Sequence, residues 1–260
     1  MLDDDYAVIT EGLTKTYGDK VAVSHLDLRV KKGEFFGFLG PNGAGKSTTI
    51  KMLCGLLLPT SGRMTVAGHD VVADPLAVKA KIGILPEDIN TYERLTGWEL
   101  LTFTGRMYGL TRAEAEQRTE QLLRLVELNE EDRHKLVVDY SLGMKKKTTL
   151  ACALIHNPKV LFLDEPFNGI DAITGSAIRE ALRRATERGV TVFFSSHVLE
   201  VVEKLCTRIA IIHNGTLHAE GTIAEIAAAR GFAPGTPLEE LFVQIAGGGQ
   251  VDRGDLSWMS

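Results

Sequence analysis

The chain has 260 residues, 44% hydrophobic and 24% charged, so it can bury one or two sizeable cores and is neither a disordered tail nor a disulfide-stabilised miniprotein. A formal net charge of −5 gives no bulk electrostatic reason to expect nucleic-acid binding. Cys54, Cys152 and Cys206 form no C-x-x-C pair, and no apolar stretch reaches the roughly 18 residues of a membrane span. We therefore expect reduced thiols and no spanning segment.

The alternation of apolar and polar residues over the first thirty positions, as in residues 6–10 and 26–30, predicts an N-terminal antiparallel β part. Unbroken apolar runs predict strands that are buried on both faces, as parallel strands covered by helices are, at residues 35–39, 160–163, 190–194 and 209–212. Helical patterns lie between them at residues 46–57, 172–188 and 198–205. Strands alternating with helices predict an α/β fold with a mostly parallel sheet.

The strand runs disappear between residues 88 and 157, where two capping boxes, at Thr96 and Thr111, each precede an apolar helical face. This pattern predicts a helical subdomain inserted into the α/β core. Two further boxes, at Thr222 and Thr236, predict short C-terminal helices over about residues 222–245. The predicted domain thus covers residues 1–245, and residues 246–260, which lack periodicity, are expected to form a flexible tail.

A glycine-rich motif follows the first buried strand and opens a helix. It matches G-x-x-x-x-G-K-[ST], whose backbone N–H groups and helix N-terminus bind phosphate, so it predicts a P-loop NTPase core. Lys46 is expected to reach the β and γ phosphates and Ser47 to ligate Mg²⁺. The alternative is a glycine-rich turn with an incidental lysine. The motif's candidate nucleotide-binding residues are Gly40, Asn42, Gly43, Gly45, Lys46, Ser47 and Thr48.

Two carboxylates, Asp164 and Glu165, emerge where a buried strand leaves the sheet. Ligands bind at that carboxyl edge in open α/β sheets. Asp164 fits an acidic partner of Mg²⁺, and Glu165 fits a group that orients or deprotonates a water molecule for attack on the γ phosphate. His197 ends the next buried strand at the same edge and is expected near the γ phosphate as a hydrogen-bond donor. The alternative for the carboxylates is an ordinary strand end at the surface.

The order of these elements over about residues 6–245 resembles the ATP-binding cassette family, which drives ABC transporters. The resemblance implies that Tyr17 stacks on adenine, although a tyrosine near a strand end also serves in packing. It places Glu87 where the family has a glutamine that senses Mg²⁺ and the membrane partner. Glutamate keeps the oxygen ligand, adds charge and loses the amide donor.

The segment Tyr140–Met144 stands at the family's signature, Leu-Ser-Gly-Gly-Gln, and departs from it at three of five positions. Ser141 and Gly143 are kept, and the resemblance implies that they contact ATP bound to the other subunit. From the residues alone, Ser141 is a good N-cap. The cations Lys145, Lys146 and Lys147 oppose the helix dipole in the first turns, so either an anion docks there or the lysines are solvated. Asp171, in a loop that resembles the one communicating across the dimer, equally suits an N-cap.

The resemblance implies an ATPase that uses ATP and Mg²⁺ and closes as a head-to-tail dimer, with a homodimer favoured over a heterodimer. The motifs resemble ABC-2 type exporter ATPases, which implies separate membrane permease subunits, docking of a short helix of that subunit on the helical insert near Glu87, and a peripheral position on the inner face of the cell membrane. Nucleic acid is not an expected partner. The alternative is a soluble, non-transport cassette for assembly or repair. A third possibility is a P-loop kinase or GTPase, which predicts an acceptor pocket or a guanine-reading Asn-Lys-x-Asp motif, and the sequence contains no such guanine motif.

Overall fold

The computed structural model describes residues 3–246. The flexible tail predicted for residues 246–260 lies outside this range, except for Ala246, which belongs to a helix.

Ten strands and ten α-helices alternate along the described residues, together with two 3₁₀ turns at Asp3–Asp5 and Val137–Asp139. The strands are β1 (Tyr6–Tyr17), β2 (Lys20–Lys31), β3 (Phe35–Leu39), β4 (Ser61–Val66), β5 (His69–Asp70), β6 (Ile82–Leu85), β7 (Val160–Asp164), β8 (Thr191–Ser196), β9 (Arg208–His213) and β10 (Thr216–Gly221). The helices are α1 (Lys46–Leu53), α2 (Pro75–Lys79), α3 (Gly97–Met107), α4 (Arg112–Leu125), α5 (Glu130–Arg133), α6 (Leu142–Leu154), α7 (Ala172–Glu187), α8 (Leu199–Leu205), α9 (Ile223–Ala229) and α10 (Leu238–Ala246).

Two sheets form the scaffold, as the sequence predicted. The smaller sheet is antiparallel in the order β2-β1-β4-β5. The larger has the order β10-β9-β3-β8-β7-β6 and is parallel except for the edge strand β10. In the larger sheet β3 lies between β8 and β9, so the chain that leaves β3 emerges beside the ends of both strands.

The wholly buried strand β3 contributes to two separate cores, one on each face of the sheet. Phe35 and Leu39 join the core formed with the helical side, and Phe36 and Phe38 join the core shared with the antiparallel sheet and α1. Successive strand residues point to opposite faces. This period explains why the run is apolar throughout rather than alternating.

The insert contains helices and no strand from α3 to α6. Three of the four capping boxes predicted in the insert and the C-terminal helices are present. The boxes at Thr96, Thr111 and Thr222 form with both hydrogen bonds in place. The fourth predicted box is wrong, because the Thr236 hydroxyl donates to the Ala233 carbonyl. Pro237 instead lies before the first residue of α10, and its carbonyl accepts from Glu240 N and Leu241 N.

Some helix boundaries and strands were not predicted correctly from the sequence. Helix α1 stops at Leu53 rather than residue 57, because the chain turns at Gly55, where φ is +64°. The short strand β6 has no clear sequence pattern because Gly83 interrupts its apolar run. A Cβ atom at Gly83 would lie 2.2 Å from the Ala153 carbonyl oxygen, so this glycine allows α6 to pack closely on the sheet.

Candidate functional site

The phosphate-loop motif connects β3 to α1 and presents an uncapped helix N-terminus. Gly45 holds the N-cap position with φ of +108°, and no side chain accepts a hydrogen bond from the first turn. A Cβ atom there would lie 2.5 Å from the Ala22 carbonyl oxygen, so both conformation and space require glycine. The free N–H groups and the partial positive charge of this turn are suited to an anion.

Lys46, the first residue of α1, is buried with its ammonium inside the loop. Its Nζ donates to the carbonyl oxygens of Gly40 at 2.7 Å and Pro41 at 3.3 Å. It also lies 3.4 Å from Oε1 of Glu165. The sequence-predicted lysine and carboxylate are thus brought together from positions far apart in the chain.

The two predicted carboxylates have different environments although they are adjacent. Asp164 ends β7 directly opposite Ser195 of β8, whose hydroxyl donates to Asp164 Oδ1 at 2.5 Å. The same hydroxyl oxygen accepts from the backbone N–H of Glu165 at 3.1 Å. Both carboxylates are buried. Ser195 therefore holds both residues in place, a role that the sequence did not assign to it.

Glu165 has left-handed backbone geometry, with φ of +47°, which directs its side chain toward Lys46 and His197. Nδ1 of His197 lies 2.9 Å from Glu165 Oε2. Oε1 is buried and has no hydrogen-bond partner, and its nearest cation is Lys46. Most buried polar atoms in proteins are satisfied, so this oxygen is available to a ligand or to water.

A cleft of about 500 Å³ opens above these residues. Its walls combine residues of β1, β2, the phosphate loop and the ends of β6, β7 and β8. A larger open groove, of about 810 Å³, lies between β1, β2, β9 and β10 and contains none of the residues predicted from the sequence. The smaller cleft is therefore the candidate site. It is lined by Tyr17, Lys20, Ala22, Asn42, Gly43, Gly45, Lys46, Ser47, Thr48, Glu87, Glu165, Asn168 and His197.

Tyr17 lies at the rim of the cleft and is 49% exposed, so packing in the core does not explain it. The Nζ atom of Lys15 lies 5.2 Å from the centre of the Tyr17 ring. One open aromatic face beside the phosphate loop suits a planar base.

Four predicted site residues do not line the cleft. Gly40, the first residue of the loop, packs against β9, where a Cβ atom would be 2.4 Å from the Ile212 carbonyl oxygen, and Asp164 is buried at the end of β7. Ser141 and Gly143 begin α6, away from the cleft lining. Ser141 is exposed and accepts a hydrogen bond from Met144 N at 3.2 Å, so it caps the helix. Asp171 likewise caps α7 through Ile173 N and Thr174 N.

The sequence left two interpretations of three successive lysines, a docked anion or solvation, and both are wrong for Lys146. The three are Lys145, Lys146 and Lys147. Lys145 pairs with Glu93 at 2.7 Å, and Lys147 is buried with Nζ 3.4 Å from the Glu127 carbonyl oxygen. Lys146 is 2% exposed, so it is neither solvated nor open to an anion. The apparent conflict with the helix dipole is resolved because intrachain oxygen atoms surround these cations.

For Mg²⁺ the candidate donors are oxygen atoms, which is the ligand set that this ion prefers. Ser47 and Glu87 line the cleft, and Asp164 Oδ2 is not used by the Ser195 hydrogen bond. Within residues 3–246, no group of three or more His, Cys, Asp or Glu side chains is placed to hold a metal ion. These residues therefore fit an ion whose other ligands are water molecules and phosphate oxygens, and they do not form a site made of protein ligands alone.

None of the helices described in this chain combines the length and apolar character needed to cross a bilayer.

Comparisons with known proteins agree on one family. The model of the ABC transporter family matches residues 23–168. The linearmycin resistance ATP-binding protein of Bacillus subtilis is 44% identical over 216 residues, which cover 83% of this chain and 69% of that protein. The bacitracin transport ATP-binding protein of Bacillus licheniformis is 41% identical over 212 residues, covering 81% and 68% of the two chains.

Solved structures give the same answer. The ATP-binding subunit of an ABC transporter superposes with a TM-score of 0.86 at 33% identity, covering 92% of this chain and 99% of that one. A dimeric ATP-binding cassette in a post-hydrolysis state, bound to ADP and Pi, has a TM-score of 0.77 at 27% identity and covers 83% and 98% of the two chains.

Proposed function

This chain belongs to the ABC transporter family and is an ATP-binding ATPase, and from that premise we propose that two copies close head to tail around two ATP molecules to drive export through separate membrane subunits. The observation that carries the proposal is the meeting of Lys46, Glu165 and His197 in one cleft beside an uncapped helix N-terminus. This arrangement supplies a phosphate cradle and a carboxylate for water within a single site.

In the proposed site the loop residues Asn42, Gly43, Gly45 and Thr48 surround the phosphates, and Tyr17 stacks on adenine. Lys46 is already held in place by the Gly40 and Pro41 carbonyl oxygens, so little side-chain entropy remains to be lost on binding. In the proposed complex, phosphate oxygens replace Glu165 Oε1 as the anionic partner of Nζ, which leaves the carboxylate for its own task.

Ser47, Glu87 and Asp164 are proposed to hold Mg²⁺, directly or through water. When bound, Mg²⁺ neutralises charge that develops on the phosphate oxygens. Ser195 supports this arrangement, because its hydrogen bond uses Oδ1 of Asp164 and not Oδ2.

Glu165 is proposed to orient the attacking water and accept its proton. The unpartnered Oε1 is the acceptor, while Oε2 is held by His197 at 2.9 Å. His197 is half exposed at the cleft, so its ring lies where it could donate a hydrogen bond to the γ phosphate. The lysine, the carboxylate and the imidazole thus meet where the γ phosphate and its attacking water are proposed to lie.

Ser141 and Gly143 lie outside the cleft of their own subunit, so they can contact ATP only if a second subunit supplies it, as in the proposed dimer. In the head-to-tail arrangement they approach ATP held by the partner subunit. Gly143 packs closely against α7, since a Cβ atom there would lie 3.0 Å from Thr174 Oγ1. One chain carries both the cleft and the signature segment, so a homodimer has two complete sites, and we favour it over a heterodimer.

A membrane permease is the proposed second partner, with the chain peripheral on the inner face of the cell membrane. Relatives named for linearmycin resistance and bacitracin transport favour this assignment over a soluble cassette for assembly or repair. The insert offers an exposed apolar patch of Tyr92, Phe103 and Met107, the first two with ring centres 5.6 Å apart. Apolar patches rimmed by polar residues are typical of protein interaction sites.

The test is purification of the tagged chain from detergent-solubilised membranes of its own host, followed by mass spectrometry and ATPase assay. We expect a multi-span protein to co-purify and the complex to hydrolyse ATP. Phe103→Glu should abolish co-purification without changing the ATPase activity of the isolated chain, and Val243→Glu, at another exposed apolar position, is the matched control. Recovery of soluble partners alone would support the non-transport alternative.

A further inference from the structure

Lys146 is a buried cation that the proposed chemistry does not use. It lies on α6, with Nζ donating to three backbone carbonyl oxygens of another segment: Glu165 at 3.0 Å, Pro166 at 3.2 Å and Asn168 at 2.7 Å. An ammonium group has three donors, and here all three are used. The side chain therefore ties α6 to the turn that begins at Glu165.

Placing a charge at this position is costly, because burial disfavours the ammonium form and lowers the pKa of Lys146. The carboxylates of Glu165 and Glu87 oppose this effect and favour the charged form. Glu87 stands where the family has a neutral glutamine, so Lys146 also offsets the additional negative charge in this chain. An apolar side chain would fill the space without that cost but would leave the three carbonyl oxygens without this donor.

The carbonyls that Lys146 contacts belong to a strained turn. Glu165 has φ of +47°, which is uncommon for a residue with a Cβ atom. The Glu165 carbonyl oxygen accepts from Asn168 N at 3.2 Å and from Lys146 Nζ. Because these bonds hold the peptide that follows Glu165, Lys146 helps to determine where the Glu165 carboxylate points.

The N-terminal end of α6, a little more than one turn before Lys146, carries the signature residues. Ser141 is the N-cap and Gly143 lies in the first turn. With a rise of about 1.5 Å per residue, the N-cap and Lys146 are separated by about 7.5 Å along one short rigid helix. A displacement of the N-terminal turn therefore moves the Lys146 backbone with it.

We propose that Lys146 is a positioning residue that transmits movement of the signature end of α6 to the backbone of Glu165 and thereby couples the two ATP sites of the dimer. The proposal rests on the head-to-tail dimer proposed above. In that dimer the signature end meets ATP held by the partner, whereas Glu165 acts on ATP held by its own subunit. Lys146 makes hydrolysis in one site depend on occupancy of the other.

The first test compares Lys146→Met with Lys147→Met in the full-length protein. Lys147 is also buried on α6, but within residues 3–246 its ammonium donates to the Glu127 carbonyl and not to the Glu165–Asn168 turn, so its variant controls for the loss of a buried ammonium. We expect Lys146→Met to lower kcat by up to roughly 100-fold, since small misplacement of reacting groups has such effects, with KM for ATP unchanged. Lys146→Arg, which keeps charge and N–H donors, should retain more of kcat than Lys146→Met.

If Lys146 has a purely structural role, the kcat of Lys146→Met should fall only in proportion to the folded fraction measured by circular dichroism. Lys147→Met should then lose a similar share of kcat. That result would overturn the proposal. An inactive wild-type protein would instead count against the proposed function, so the two failures are distinguishable.

Coupling is tested by a double-mutant cycle with Ser141→Ala. If Lys146 transmits the signature's movement, the losses in kcat should be non-additive, with the double variant close to the worse single variant. Multiplicative losses would mean that the two residues act independently. Should Lys146→Met fail to fold, hydrogen exchange of the wild-type protein replaces it: ATP should slow exchange in the first turn of α6 and at Asn168 N–H together, and a change in only one of them contradicts coupling.

Discussion

The hydroxyl of Ser195 donates a hydrogen bond of 2.5 Å to Oδ1 of Asp164. The same oxygen accepts the backbone N–H of Glu165, so one buried side chain holds two adjacent carboxylate residues at the end of β7. The carboxylate proposed for Mg²⁺ and the carboxylate proposed for water are thus positioned by a residue of the neighbouring strand.

Ser195→Ala should destabilise the protein by about 1–3 kcal/mol, because it leaves the buried Glu165 N–H and Asp164 Oδ1 without this partner. In a chain of this size each kcal/mol lowers the melting temperature by about 2–4 °C, which calorimetry measures. Activity should fall as well. Ser196→Ala is the control, since that buried hydroxyl accepts from Val198 N and, among the described residues, hydrogen-bonds to neither carboxylate. Equal activity losses in the two variants would contradict the role given to Ser195.

Lys46→Ala should weaken ATP binding by about 10- to 150-fold, equivalent to about 1.5–3 kcal/mol for hydrogen bonds to a charged group. Isothermal titration calorimetry of the purified variant gives the affinity directly. Lys51→Ala, on the exposed side of the same helix, should bind ATP as the wild type does. Unchanged affinity in Lys46→Ala would remove the phosphate-loop assignment.

Glu165→Gln should preserve ATP binding and lower turnover by about 10²- to 10⁴-fold, because the amide cannot accept the proton of the attacking water. The variant should therefore accumulate as an ATP-bound dimer, visible by size-exclusion chromatography with multi-angle scattering. Glu200→Gln, an exposed glutamate near the same edge, serves as the charge-matched control. Turnover at the wild-type rate would assign the water-orienting role to another group.

Ser141→Arg should block ATP-dependent dimerisation and spare nucleotide binding to the monomer, because a large cation fills the space proposed for the partner's phosphate. The change is best made in the Glu165→Gln background, where the dimer accumulates. Thr111→Arg removes a comparable N-cap from α4 and controls for the lost cap. Dimers of normal yield in Ser141→Arg would show that the signature assignment is wrong.

The three cysteines should resist alkylation in the native protein. Burial raises the pKa of Cys152 to about 12 and also raises the pKa values of Cys54 and Cys206, so the reactive thiolate is scarce at pH 8. We expect mass spectrometry to find almost no iodoacetamide adducts in native protein and three after unfolding in guanidinium. Rapid labelling of Cys54, which is buried in the structure, before unfolding would contradict this expectation.

Much of this protein was determined by its sequence alone, and the reason is that the decisive signals are local. The phosphate loop needs consecutive residues between a strand and a helix. The alternation along β1 and β2 and the unbroken apolar run of β3 are likewise read directly from neighbouring positions. The carboxylate pair and His197 could be placed at one edge because parallel strands end together.

Only the tertiary structure decided which groups complete each other. Ser195 reads as the end of an apolar strand, and its hydrogen bond to Asp164 depends on the register of β7 and β8. Lys146 reads as a surface or anion-binding lysine within a basic run, yet its ammonium is saturated by carbonyls of the Glu165–Asn168 turn. Those contacts depend on how α6 docks on the sheet, and a packing relationship between distant segments leaves no periodic pattern in the chain.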